Sequence, residues 1–369
     1  MLDLYYTLYL VAYVIEIVYL VVLGCVMLLG RNQAIYTRGE LEVKRRMNRC
    51  VGIYMFTGAF ECLIYLPFLL LGFTDPHWVY GYCFLVTLTI NTSMVFVTMW
   101  AVLQKKVNLQ RWVTVIAAPF IILTVLYAFI PKDGDYMPLL YVSGALSVAM
   151  IFFMLARYAR EYRQYVTRVR MEYSETSERE IIWSWSCFAG FALQSIIFVV
   201  YEFCWNMVLE VLYVVITAIN AAYLCYCTYR QRPLDISVVE ETPAEEEKKV
   251  QKPADEKAFY AVIEQRLESL CEGKLLFLEP DLTRETLCLR LNIGRTYLGM
   301  YLRSRGLTFY QYINTLRVEY AINLMQKNPE MPIREVSELS GFRSQTTFRK
   351  VFKEVMGCLP SDIHNSKIV

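Results

Sequence analysis

The chain has 369 residues, 56% of them hydrophobic, with a mean hydropathy of +0.34 and a formal net charge of +2. Such a composition excludes an ordinary soluble globule of this size, because much of the apolar surface must face something other than water. With only His77 and His364 present, catalysis through paired histidines and a histidine-rich metal site lack raw material.

Runs of 18 or more apolar residues recur at about 4–30, 51–73, 79–103, 112–131, 139–156, 181–203 and 207–229. Each can cross a hydrocarbon core of ~30 Å at ~1.5 Å per residue. The expected fold class is therefore all-α, a polytopic seven-helix transmembrane bundle followed by a small all-helical domain. The first run lacks a basic start and is too long for a cleavable signal peptide. Of the eleven cysteines, Cys25, Cys62, Cys83, Cys187, Cys204, Cys225 and Cys227 sit within apolar runs and show no zinc or disulfide framework. They read as reduced core residues, with a Cys83–Cys204 bridge left open.

Lys and Arg resist translocation and accumulate on the cytoplasmic side. Arg31, Arg38, Lys44, Arg45, Arg46 and Arg49 follow the first span, Lys105, Lys106 and Arg111 the third, and Arg157, Arg160, Arg163, Arg168, Arg170 and Arg179 the fifth. The loops after the second, fourth and sixth spans offer only Lys132. This asymmetry places the N-terminus outside and whatever follows Arg230 and Arg232 in the cytoplasm. Within the spans Glu16, Glu61, Asn91, Gln194 and Asn220 fall near mid-depth with no Lys or Arg to neutralise the carboxyls. They face the bundle interior, either as hydrogen-bond glue between helices or as a ligand-binding or proton-sensing cluster.

Three segments result: 1–232 as the membrane domain, 233–257 as a charged flexible linker, and 258–369 as a cytoplasmic domain. The linker carries Pro233, Pro243 and Pro253 among 8 acidic and 4 basic residues and cannot bury enough surface to order itself. Beyond it the chain reads as short amphipathic helices built on an internal repeat. Arg284-Glu285 recurs as Arg334-Glu335, Leu298 as Phe348, Leu302 as Phe352 and Gly306 as Gly357. In the first copy Thr283 caps a helix, Asn292-Ile293-Gly294 turns, and a second helix starts at Arg295. In the second copy Pro332 opens a helix, Gly341 permits a left-handed turn, and Phe348 and Phe352 pack the helix that follows. Phe309, Ile313, Leu316, Tyr320 and Leu324 trace a long helix between the copies. Two helix-turn-helix units on a rigid connector can address successive major grooves ~34 Å apart.

Residues 282–365 resemble the AraC family of regulators. The resemblance rests on Phe309-Tyr310-Gln311-Tyr312-Ile313-Asn314-Thr315-Leu316-Arg317, Ala321, Leu324, Ile333-Arg334-Glu335-Val336, Gly341-Phe342-Arg343-Ser344-Gln345-Thr346-Thr347-Phe348, Phe352-Lys353, Gly357 and Pro360-Ser361. It departs in a first unit one residue short between Leu298 and Gly306, in Gly299 and Met300 where many relatives carry larger polar base readers, and in the closing Ile363-His364. The family pattern places Arg295, Thr296 and Met300 in one groove and Gln345, Thr346, Arg349 and Lys350 in the next. Arg303, Arg305, Arg343, Ser344 and Lys353 suit phosphates. The resemblance implies double-stranded promoter DNA and RNA polymerase as partners, and allows a homodimer. Nothing in it identifies the membrane half; the apolar runs and the basic-loop asymmetry are what place the chain in a bacterial inner membrane with the C-terminal domain in the cytoplasm. Together with the lipid bilayer and an unknown signal ligand, these make a membrane-bound sequence-specific transcription regulator that couples a membrane or extracytoplasmic signal to promoter binding. A passive anchor and a transporter with a regulatory tail are the competing readings. No enzyme activity, metal or cofactor is expected.

Overall fold

The computed structural model describes residues 2–30, 36–70, 77–104, 109–131, 134–176, 181–204, 207–234 and 256–365. Among them there are helices and no strands, apart from one isolated bridge between Tyr173 and Thr283. The chain divides into two compact units, one formed by Met1–Arg163 and Ile181–Glu240, the other by Gln164–Glu180 and Glu241–Val369.

The first unit holds α1 (Leu2–Leu29), α2 (Arg38–Leu70), α3 (His77–Val102), α4 (Leu109–Ala128), most of α5 (Met137–Glu172), α6 (Trp183–Cys204) and α7 (Met207–Arg230). Among the described residues six helices are long and apolar enough to cross a membrane: Leu10–Leu29, Arg38–Pro67, Val79–Val102, Met137–Glu172, Trp183–Val200 and Val211–Arg230. The apolar stretch of α4, Thr114–Ala128, is shorter. In α3, 67% of the most apolar window is buried, against 22–33% in the other five, so α3 is the inner helix. The remaining helices turn Ile15, Val18, Ile122, Phe152 and Ile219 outward, the reverse of a water-soluble exterior. Helices α1 and α2 approach closely at Gly52, where an added Cβ would lie 2.9 Å from Leu28 Cδ2 and 3.3 Å from the Gly24 carbonyl. Lys44, fully buried on α2, donates to the carbonyls of Thr228, Tyr229 and Gln231 at 2.5, 2.9 and 2.7 Å. It thereby satisfies the open C-terminal end of α7, where the helix dipole is negative. Cys83 and Cys204, the open disulfide candidates, are both free thiols.

The second unit holds α8 (Glu256–Lys274), a 3-10 turn (Leu276–Leu278), α9 (Arg284–Leu291), α10 (Arg295–Ser304), α11 (Phe309–Lys327), α12 (Ile333–Leu339), α13 (Gln345–Met356) and α14 (Pro360–Asn365). The expected linker, 233–257, lies outside the described residues from 235 to 255. Two apolar clusters form, one around Leu267, Phe277, Leu287, Leu298, Phe309 and Ile313, the other around Val318, Ala321, Val336, Phe348 and Phe352. Helix α11 contributes to both, because its apolar residues continue around the axis instead of forming one stripe. A capping box starts it: the Thr308 hydroxyl accepts from Gln311 N at 3.1 Å and the Gln311 side chain accepts from Thr308 N at 2.8 Å.

Candidate nucleic-acid interface

Each half of the second unit is a helix, a left-handed turn and a second helix. In the first half the Thr283 hydroxyl caps α9 by accepting from Thr286 N at 3.1 Å. The turn follows at Asn292, whose φ of 52° is a conformation that asparagine tolerates better than most side chains. In the second half Gly341 turns with φ of 81°, and a Cβ there would lie 2.6 Å from the Leu278 carbonyl oxygen, so only glycine fits. Ser344 then caps α13, accepting from Thr347 N at 3.1 Å. Gly306 and Gly357 both carry left-handed φ, 70° and 75°, so the repeat seen in sequence is a repeat in backbone conformation.

The second helices of the two halves present different surfaces. On α13, Thr347, Phe348, Val351 and Phe352 point inward, which leaves Thr346, Arg349, Lys350 and Lys353 on one exposed face with Ser344 beside them and Gln345 half-buried. This is a basic, hydrogen-bonding face at helical spacing, suited to a groove lined by phosphates and base edges. Its counterpart α10 exposes less: Arg295, Thr296 and Arg303 are half-buried, and Met300 is only 7% exposed. Arg305 is exposed but ion-paired with Glu264.

Residues that sequence reasoning passed over, Glu172, Ser174, Glu175 and Asp281, hold several of these side chains. Glu172, at the end of α5, bridges Arg284 at 2.7 Å and Arg295 at 3.1 Å. Ser174 follows, its N donating to the Leu282 carbonyl at 3.3 Å and its hydroxyl to the same oxygen at 2.7 Å. Asn314 Nδ2 donates to the Ser174 carbonyl at 2.9 Å. Glu175 accepts from Arg343 N at 3.3 Å and pairs with Arg343 Nε at 3.4 Å, while Asp281 takes the other end of that guanidinium.

Arg317 is fully buried, its guanidinium donating to the carbonyls of Phe277 at 2.6 Å and Glu279 at 2.7 Å and lying 5.6 Å from the Phe342 ring centroid. Burial lowers its pKa to about 10, so it stays charged at neutral pH. The motif containing Arg317 was legible, but its burial was not. Likewise the repeated Arg-Glu pairs look alike in sequence, yet Arg284 is 1% exposed and bound to Glu172, whereas the Arg334 side chain is 81% exposed.

Four of the five polar residues expected at span depth line one cavity in the first unit. Glu16, Glu61, Asn91 and Gln194 surround about 50 Å3 of space open to the centres of water molecules. Asn91 Nδ2 donates to Glu61 Oε2 at a long 3.4 Å. Asn220 stands apart from the lining, where a Cβ on Gly190 would meet its Oδ1 at 2.9 Å. No group of three or more metal-binding side chains occurs among the described residues.

Residues 287–366 match a family described as "Helix-turn-helix domain". The chain is similar to the TCP pilus virulence regulatory protein of Vibrio cholerae serotype O1, from both the Classical Ogawa 395 and the El Tor Inaba N16961 strains. Identity to each is 32% over 116 residues, 28% of this chain and 42% of the relative. The match thus spans less than half of those regulators' length. No solved structure matches the chain.

Proposed function

The chain carries an AraC-type helix-turn-helix domain at its C-terminus, and from that premise we propose that it is a membrane-bound transcription regulator which binds promoter DNA sequence-specifically. The observation that carries this reading is the exposed α13 face of Thr346, Arg349, Lys350 and Lys353. Gln345, Thr346, Arg349 and Lys350 read base edges, Gln suiting adenine and Arg or Lys guanine. Ser344, Lys353, Arg303, Arg305 and Arg343 hold phosphates, and Arg295 and Thr296 address the first groove. Met300 supports that groove by packing.

The six long apolar helices found among the described residues support an inner-membrane location, and with the shorter apolar helix α4 as a seventh crossing the basic loops support a cytoplasmic C-terminus. Segments 1–232, 233–257 and 258–369 then act as membrane domain, tether and reader. The polar cavity around Glu16 and Glu61 favours a sensor over a passive anchor, since an anchor needs no buried carboxyls at mid-depth. RNA polymerase and a second copy of the chain are the expected partners at the promoter. Chromatin immunoprecipitation of the native protein, followed by sequencing, tests the reading. Enrichment of a shared motif upstream of a few genes, lost with Arg349→Ala, is the expected result. Uniform recovery of the chromosome by both proteins would overturn it.

A further inference from the structure

We propose that the cavity among α1, α2, α3, α6 and α7 is a binding site for a small primary ammonium ion, which deepens the sensing reading above. Glu16 and Gln194 are 4% and 5% exposed, line the cavity, and each leaves an acceptor atom, Oε2 and Oε1, without a hydrogen-bond partner. Two orphaned acceptors call for a ligand that donates. Among the described residues no Lys, Arg or His lines the space, so nothing in that lining supplies the positive charge that a cation would bring to Glu16 and Glu61. The rings of Tyr54, Tyr65, Phe191 and Phe198 complete the wall and favour a cation over an anion. With ~10–15 Å3 of such space per water, about 50 Å3 accommodates a ligand of a few heavy atoms. Propylammonium chloride is a suitable probe, with n-propanol as its uncharged isostere and sodium chloride matching ionic strength. Full-length protein in lipid nanodiscs is melted with each. The ammonium ion should raise the melting temperature saturably, and the rise should vanish in Glu16→Gln and, as a second variant, in Gln194→Met. Equal stabilisation by propanol, or a rise that survives both substitutions, overturns the site. A rise in melting temperature with no change at any regulated promoter leaves the site standing and removes the sensing role.

An independent set of contacts carries a second inference: the geometry points to Glu172–Glu175 as an internal competitor of DNA. The carboxylates of Glu172 and Glu175 occupy the guanidinium groups of Arg295 and Arg343, two side chains assigned above to the nucleic acid. A DNA phosphate seeks the same charge-assisted bonds, so binding by those arginines requires the segment to leave. Departure also uncovers Arg284, whose buried partner is Glu172. The segment continues directly from α5, whose Ser147 and Ile151 border a smaller space next to the ammonium cavity, sharing Thr87, Asn91 and Gln194 with it. The test compares wild type with Glu175→Gln, which leaves the Glu172 bridge intact, in full-length protein offered a randomised duplex library. The variant should bind the selected duplex several-fold more tightly. A cysteine pair, Ser174→Cys with Asn314→Cys, should cross-link less once that duplex is bound. Equal or weaker affinity in the variant, or cross-linking indifferent to DNA, overturns the competitor. Failure of both proteins to enrich any duplex overturns the DNA-binding reading itself.

Discussion

Replacing Gly341 with alanine isolates the effect of space from that of backbone conformation, because Gly306, Gly341 and Gly357 share φ values of 70°, 81° and 75°. Left-handed backbone costs an alanine ~1–2 kcal/mol wherever it occurs. At Gly306 and Gly357 nothing lies within 4 Å of the added methyl, so that cost is the whole effect. At Gly341 the methyl would sit 2.6 Å from the Leu278 oxygen and 2.8 Å from its Cα, both backbone atoms that cannot rotate away. Displacing the Leu276–Leu278 turn adds ~1–3 kcal/mol, the usual range for overpacking. Hydrogen exchange by mass spectrometry on the full chain in detergent measures local opening of α12 and α13. Protection there should fall by about 2–5 kcal/mol in Gly341→Ala and about 1–2 kcal/mol in Gly357→Ala. Equal losses in the two variants would refute the steric argument and leave only conformational strain.

Arg349→Ala should relax base preference at one position and cost ~1–3 kcal/mol against the preferred duplex, whereas Lys353→Ala should weaken all duplexes alike; binding titrations on selected and scrambled duplexes separate the two. Alkaline phosphatase, active only after export, should be inactive when fused at Val369, and high activity would reverse the proposed orientation. Arg317→Leu leaves the buried Phe277 carbonyl without its donor, while the Glu279 carbonyl keeps Leu282 N, and should cost ~1–3 kcal/mol of domain stability, read as lost exchange protection along α11; a change below about 1 kcal/mol would mean that packing alone holds the seam.

The helices were legible because periodicity and turn chemistry are local. Thr283, Thr308 and Ser344 cap helices through oxygens that reach only a few residues along the chain, and Gly341 announces a left-handed turn without any neighbour. The gathering of Glu16, Glu61, Asn91 and Gln194 was half legible, since shared depth in the spans does not say which faces meet. The role of 172–175 was hidden, because Glu172 and Arg295 are over a hundred positions apart and carry no periodic signal. Met300 reads as a groove residue by motif position, yet it is only 7% exposed although it lies on the face of α10 opposite Leu298 and Leu302, which pack into the first cluster. Lys44 reads as one more cytoplasmic charge, and only the fold brings the α7 carbonyls to it.

Arg317 has a bearing on how the domain comes apart. Its guanidinium is bonded to carbonyls beside the first apolar cluster and lies over Phe342 of the second. If the first half alone melts, the charge loses its acceptors; if the second melts, it loses the ring that shields it. Each half therefore penalises the unfolding of the other, and the repeat behaves as a single cooperative unit instead of two detachable modules. A chain cut at Pro332 should not retain a folded first half, and grafting one unit onto another protein should fail unless α11 and the 276–279 turn travel with it.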